Sequence, residues 1–140
     1  MERTDARVEA VPVVDYARLL AFRTGLRRFL RWSEQEAIVE GLTGSQHQLL
    51  LVVKGCASQD GPTVGDVAEH LLIRHHSAGE LIHRAQDAGL VRLRQDADDH
   101  RVARVTATAR GERILAALAA RHLEEIARLA PTLDILLKAE

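Results

Sequence analysis

The feature that most narrows the possible folds is a change of hydrophobic period late in the chain. Through most of the sequence, apolar residues recur every three or four positions, as on one face of a helix. In "GLVRLRQDADDHRVARVT", Gly89 to Thr106, the period drops to two. Val91 and Leu93 alternate with Arg92 and Arg94, "VARVT" alternates roughly, and the polar run "QDADDHR" lies between them. Two short alternating runs around a polar tip read as a β-hairpin. A lone hairpin is marginal in water and needs a helical layer to pack on. The fold is therefore expected to be mainly α (α+β), with one hairpin packed on helices.

The flanking elements follow from periodicity and end signals. Residues 1–12 read as a loose arm ending at Pro12. From Asp15, the apolar positions Leu19, Phe22, Leu26, Phe29 and Leu30 mark an amphipathic first helix. Its other face carries Arg23, Arg27, Arg28 and Arg31, and it stops near Gly41. "TGSQ" at 43–46 is a capping box that opens a second helix, because a Thr hydroxyl and a Gln side chain can satisfy each other's orphan amides. "SQDGP" reads as a loop. Thr63 caps a short third helix that runs to about Leu71. After about three residues, Leu72 to Arg74, a fourth helix runs to Gly89, which suits a left-handed stop with Leu90 behind it. Beyond the hairpin, Ile114, Leu115, Leu118, His122, Ile126 and Leu129 form one stripe of a long helix. Pro131 is expected to break it, leaving "TLDILLKA" as a last turn or short helix. Two helices joined by a tight turn and followed by a two-stranded ribbon make a winged helix-turn-helix.

Composition excludes several classes. The longest unbroken apolar run, Leu49 to Val53, is far too short to span a bilayer. The N-terminus "MERTDARVEAVP" has no apolar signal core, which points to the cytosol. A single cysteine, Cys56, rules out an internal disulfide framework. It lies near the C-terminal end of an apolar helix, where the dipole disfavours a thiolate, and reads as a small core hydrophobe. His47, His70 and His122 are separated, and no HExxH or paired Cys/His spacing is present, so no metal or other cofactor is expected. Nothing assembles a nucleophile, base and orienter, so no enzymatic activity is expected.

The net charge of −1 announces no nucleic acid, but its distribution does more. Leu90 to Arg113 carries six arginines against four carboxylates, a local excess of +2. Gly61 to Gly89 carries two arginines against four carboxylates, or −2, together with four histidines. A local basic segment can bind nucleic acid on a neutral chain. The start of the fourth helix, "RHHSAGE", is polar and donor-rich at Arg74, His75, His76 and Ser77. It accepts a helix-weakening glycine at Gly79, which costs about 1 kcal/mol relative to Ala. Such a face suits close approach to a groove. Glu80 can accept from a cytosine amino group, but an i,i+4 pair with Arg84 is the expected arrangement.

"LTGSQHQLLLVV", "GPTVGDVAEHLLIRHHSAGELIHRAQDAGLVRLRQDADDHRVARVTAT" and their spacing resemble the MarR family of transcription regulators. The resemblance runs from Asp15 to the C-terminus. Its most specific parts are "TVGDVAEHL", "AGLV" and the wing "DADDHR", similar to the family's D-x-x-D-R-R. It implies one domain over 1–140: dimerisation helices at 13–41 and 109–140 around a winged helix-turn-helix at 43–107. It also implies a homodimeric repressor on a palindromic operator in double-stranded DNA, with the fourth helix in the major groove and Arg101 in the minor groove. Arg92, Arg94 and Arg104 would meet phosphates or lie on the strand surface. A small aromatic or anionic effector would sit between the dimer helices and the winged unit, where Arg23 and His47 are the candidates. The chain departs from the family at Arg74, where a Ser cap is usual, at Gly79, commonly Val or Ser, and at Glu80, often basic. The acidic balance around the fourth helix leaves a second reading: a winged-helix dimer that acts through protein–protein contacts or metal sensing without binding DNA.

Overall fold

The computed structural model describes residues 9–138; the part of the N-terminal arm at 1–8 lies outside the described residues. The element order is α1 (Val13–Val39), α2 (Gly44–Gly55), α3 (Val64–Leu71), α4 (His75–Asp87), β1 (Val91–Gln95), β2 (Ala103–Ala107) and α5 (Ala109–Leu137). The period-two segment is the antiparallel pair β1–β2, with Val91 opposite Ala107 and Gln95 opposite Ala103. This agrees with the fold class read from the sequence.

Local chemistry sets most of the boundaries. Thr43 and Gln46 satisfy each other's amides at the start of α2, and Thr63 and Asp66 do the same at α3. Those bonds hold the Asp66 carboxyl below its ordinary range. Gly41, at φ +80°, ends α1. Its amide bonds Ile38 and that of Leu42 bonds Ala37, which closes two of the helix's last carbonyls. Gly89, at φ +75°, ends α4 in the same way through Gln86 and Ala85. The turn between α3 and α4 uses this geometry too, but the left-handed residue is Leu72, at φ 55°. The amide of Leu72 reaches Glu69 and that of Ile73 reaches Ala68.

The core lies under the winged unit. Leu49, Leu50, Val67, Ile82, Leu90, Val91, Val105 and Leu118 are all buried to 1% exposure or less. They come from α2, α3, α4, the hairpin and α5, so one core fixes α4 and the hairpin to the long helix. Two glycines mark close backbone approaches. A Cβ on Gly61 would lie 2.1 Å from the Val105 carbonyl oxygen, and one on Gly111 would lie 2.2 Å from that of Leu90.

One expectation fails. Pro131 does not break the last helix; α5 runs unbroken through it to Leu137. Proline's fixed φ is itself helical, so the ring removes one donor and crowds one carbonyl without forbidding the next turn. Pro131 is exposed, and the turn behind it is already formed, so the helix continues. None of the described helices is long and apolar enough to cross a membrane.

Candidate nucleic-acid interface

Helix α4 is divided along its length. Ala78, Leu81, Ile82 and Ala85, spaced for one helical face, are buried in the core. Arg74, His75, His76, Ser77, Glu80, His83 and Arg84 are all exposed. Arg74 is the N-cap residue but makes no side-chain cap bond, so the first amides of α4 have no partner from it. Gly79 is half-buried, and a Cβ there would meet nothing within 4 Å. Internal packing therefore does not demand this glycine. The expected Glu80–Arg84 pair is not formed. Glu80 instead meets the His76 Nε2 at 3.2 Å, because side chains on a helix lean toward its N-terminus and bring Glu80 over the preceding turn.

The wing tip is held by its own carboxylates. Asp96 Oδ2 accepts the amides of Asp98 and Asp99, while Oδ1 accepts Arg104 Nε at 2.9 Å. Asp99 accepts the Arg101 amide and Nε, each at 3.1 Å. The guanidinium of Arg104 holds the Asp96 carboxyl below its usual range, and that of Arg101 does the same for Asp99. Asp99 thus orients the Arg101 side chain, which remains 91% exposed. Asp98 plays no part in this orientation. Arg92 and Arg94 project from the outer face of β1 and are exposed.

Arg104 requires a correction. Its guanidinium bonds both Asp96 and the Gly61 carbonyl, at 3.1 Å, and its side chain is 25% exposed. It ties the wing to the loop before α3 and is not a free surface cation. Asp96, which organises this joint, was missed in the sequence; the D-x-D-D spacing of an Asx turn was the available signal.

Behind the winged unit, α1, α2 and α5 enclose a groove of about 1170 Å³. His47 lines it and is only 6% exposed. Burial, and then the nearby His122, push the His47 imidazole below its ordinary pKa. Arg23 is exposed and does not line the groove; Arg27 and Arg31 do. All three lie at i+4 steps along one stripe of α1, and Arg23 is one turn too early. His122 sits in an aromatic cluster, 4.7 Å from Trp32 and 4.8 Å from His47 between ring centroids. Its Nδ1 lies 2.7 Å from the Leu118 carbonyl and must donate there. In the neutral ring Nε2 then accepts from the Ser33 hydroxyl, also at 2.7 Å. Cys56 and His70 also line the groove. Among the described residues, no group of three or more His, Cys, Asp or Glu is placed to hold a metal.

Beyond the groove, α1 and α5 expose apolar side chains. Val13 is 83% exposed and Ile135 75%, and Leu19, Leu20, Leu26 and Leu137 are also open to water. Arg121 joins the two helices by bonding Glu36 and Glu40 at 2.7 and 2.9 Å.

Residues 40–102 match the model of the MarR family. No curated protein matches the sequence. Among solved structures, a MarR family transcription regulator is 25% identical, with a TM-score of 0.72 over 84% of this chain and 76% of that one. AbsC, a MarR family transcriptional regulator from Streptomyces coelicolor, is 23% identical over 79% and 76%, with a TM-score of 0.66. MepR of Staphylococcus aureus, solved in complex with DNA, is 21% identical over 81% and 82%, with a TM-score of 0.69. The matched span takes in the helix-turn-helix and the first strand of the wing, and the outer helices follow the fold of the solved structures, so the chain has a winged helix-turn-helix fold similar to that of the MarR family of transcription regulators.

Proposed function

We propose that this chain is a homodimeric repressor that binds a palindromic operator in double-stranded DNA and is released by a small anionic or aromatic ligand. The division of α4 carries this reading. One face is locked into the core, while Arg74, His75, His76, Ser77, Glu80 and Arg84 stand in solvent, and at the wing tip Asp99 orients Arg101. A helix so presented fits a major groove, and an arginine at a hairpin tip fits the minor groove, where negative potential concentrates. Gly79 leaves room for a phosphate backbone. Arg92 and Arg94 serve as phosphate contacts. The same fold in MepR has been solved bound to DNA, which supports this assignment of roles.

The exposed apolar faces of α1 and α5 supply the dimer. Contiguous apolar surface of this kind marks an interaction site, and a two-fold pairing places two copies of α4 on successive turns of one duplex face. The groove beside His47 is the effector site, with Arg27 and Arg31 as its cationic rim. A dimer lying across a promoter blocks transcription with no further part, so repression is the mode assigned.

The test is fluorescence anisotropy with duplexes from the DNA upstream of the chain's own coding sequence. A specific site should bind about 10³-fold or more tightly than random duplex of equal length. Binding indistinguishable from random DNA at all sites would refute the reading and favour the protein-contact alternative.

A further inference from the structure

A buried histidine, His47, and a half-buried one, His122, meet at the groove between the winged unit and the outer helices. His47 belongs to α2, within the winged unit, and His122 to α5, one of the outer helices. The rings are 4.8 Å apart and tilted 54° to each other. Ser33 brings in α1 through its bond to His122. Both nitrogens of His122 are occupied, by Leu118 and Ser33. His47 is 94% buried and has no hydrogen-bond partner for its ring among the described residues, so its polar edge opens only into the groove.

We propose that His47 and His122 form a proton-operated lock between the winged unit and the α1–α5 pair, closed while both imidazoles are neutral and forced open when both are protonated. Two cations at this separation, beside Phe29 and Trp32, repel, and the burial of His47 limits how far the groove's solvent can screen them. The other charged and titratable groups facing the pair do not cancel that repulsion. Arg27 and Arg31 of α1 add positive charge; Glu34 of α1 is the one carboxylate; Cys56 after α2 and His70 of α3 complete the set. Protonation also turns Nε2 of His122 from acceptor into donor, so the Ser33 hydroxyl must direct its own hydrogen to another acceptor.

Linkage fixes the sign. His47 in the folded chain takes up its proton less readily than a free imidazole. The closed state is therefore favoured above about pH 6.5 and loses that advantage as pH falls toward the lower folded value. The shared core fixes α2 to α5 as far as Leu118 and the pair adds the next contact one turn on, so opening lets the winged unit shift its angle to the far ends of the outer helices. The spacing of the two α4 helices in a dimer would change with it.

The only tryptophan, Trp32, touches His122 and reports the lock directly. Its fluorescence is followed from pH 8 to 5 at constant ionic strength in wild type, His47→Gln and His122→Gln. A glutamine at 122 can still donate to Leu118 and accept from Ser33, so that variant should fold. In wild type the opening constant should rise by up to about 100-fold per pH unit, the slope of two protons; each variant should fall to about tenfold or less. A one-proton slope in wild type, an unchanged slope in either variant, or no transition at all would overturn the lock.

Its regulatory role rests on the DNA-binding reading above, and is tested separately in a His75→Gln/His76→Gln background. Histidines facing phosphate favour the protonated form and would strengthen binding in acid, which would mask the effect. In that background, affinity for the upstream duplex should fall at least about tenfold across the Trp32 transition. Affinity that stays flat while Trp32 responds overturns the regulatory role. Failure of the wild-type chain to bind DNA at pH 7.5 would sink the DNA reading and leave the Trp32 result standing by itself.

Discussion

Replacing Leu72 by glycine should make this protein more stable. Leu72 occupies the left-handed position of the α3–α4 turn, at φ 55° and ψ 43°. A Cβ in that region costs about 1–2 kcal/mol. Glycine removes the cost but gives the unfolded chain extra freedom, worth about 0.4–1 kcal/mol. The Leu72 side chain is 91% exposed, so its loss forfeits almost no packing. The net gain is about 0.5–1 kcal/mol per protomer, from the difference of those two effects. Both turn hydrogen bonds come from backbone amides and survive the change. Guanidinium denaturation at one fixed chain concentration measures it, because association makes the midpoint depend on concentration. Leu72→Ala is the control: it shortens the side chain, keeps the strained Cβ, and should stay within about 0.5 kcal/mol of wild type. A glycine variant less stable than wild type would refute the strain argument and point to a contact made by the leucine.

Other outcomes follow from the same geometry. Arg101→Ala should weaken operator binding by about 1–3 kcal/mol, measured by anisotropy, with the fold intact because the side chain packs on nothing but Asp99; unchanged affinity would remove Arg101 from the interface. Deleting residues 123–140 should leave a monomer or an aggregate in sedimentation at micromolar concentration, and a well-behaved DNA-binding monomer would contradict the dimer. The Asp96 and Asp99 carboxyls are depressed, so their contribution to wing order is complete above the ordinary carboxylate range near pH 4 and is lost as pH falls through their lower folded values. Amide exchange at residues 96–102, corrected for intrinsic rate, should therefore be flat between pH 5 and 8; a change in that window would mean the carboxylates do not hold the tip.

What could be read from the sequence was what local chemistry decides. Thr43 with Gln46, Thr63 with its helix, Gly41 and Gly89 all act within a few residues of themselves, and each boundary they mark was legible. So was the hairpin, because alternation is a property of the strand itself. Contacts between distant segments were not. Arg104 reads as one more wing arginine until the fold brings the Gly61 carbonyl to it across 43 positions. Arg23, Arg27 and Arg31 share one stripe, and only the position of the groove along α1 separates the first from the other two. The meeting of His47 with His122 has no local signature. Leu72 was illegible for another reason: the turn needs a left-handed residue, and the chain pays strain there instead of using the glycine that would have announced it. Pro131 misled because a rule about helix interiors was applied to an exposed turn near the end of a helix that was already formed.

The start of α5 is clamped. The Thr108 amide bonds the Leu90 carbonyl and its hydroxyl donates to Gly89, while Gly111 lies hard against the same Leu90 oxygen. From that pivot the helix extends 29 residues, about 43 Å. It is a lever arm whose short end is the joint between recognition helix and wing, and whose long end is the apolar tip at Leu133 to Leu137. A tilt of about 5° at the pivot sweeps the tip through about 4 Å of its 1.5 Å-per-residue length. The gearing also runs in reverse: a shift of several ångströms at the apolar tip reaches the other end as a rotation of only a few degrees. Coarse displacement at the tip thus becomes fine adjustment of α4 and the wing.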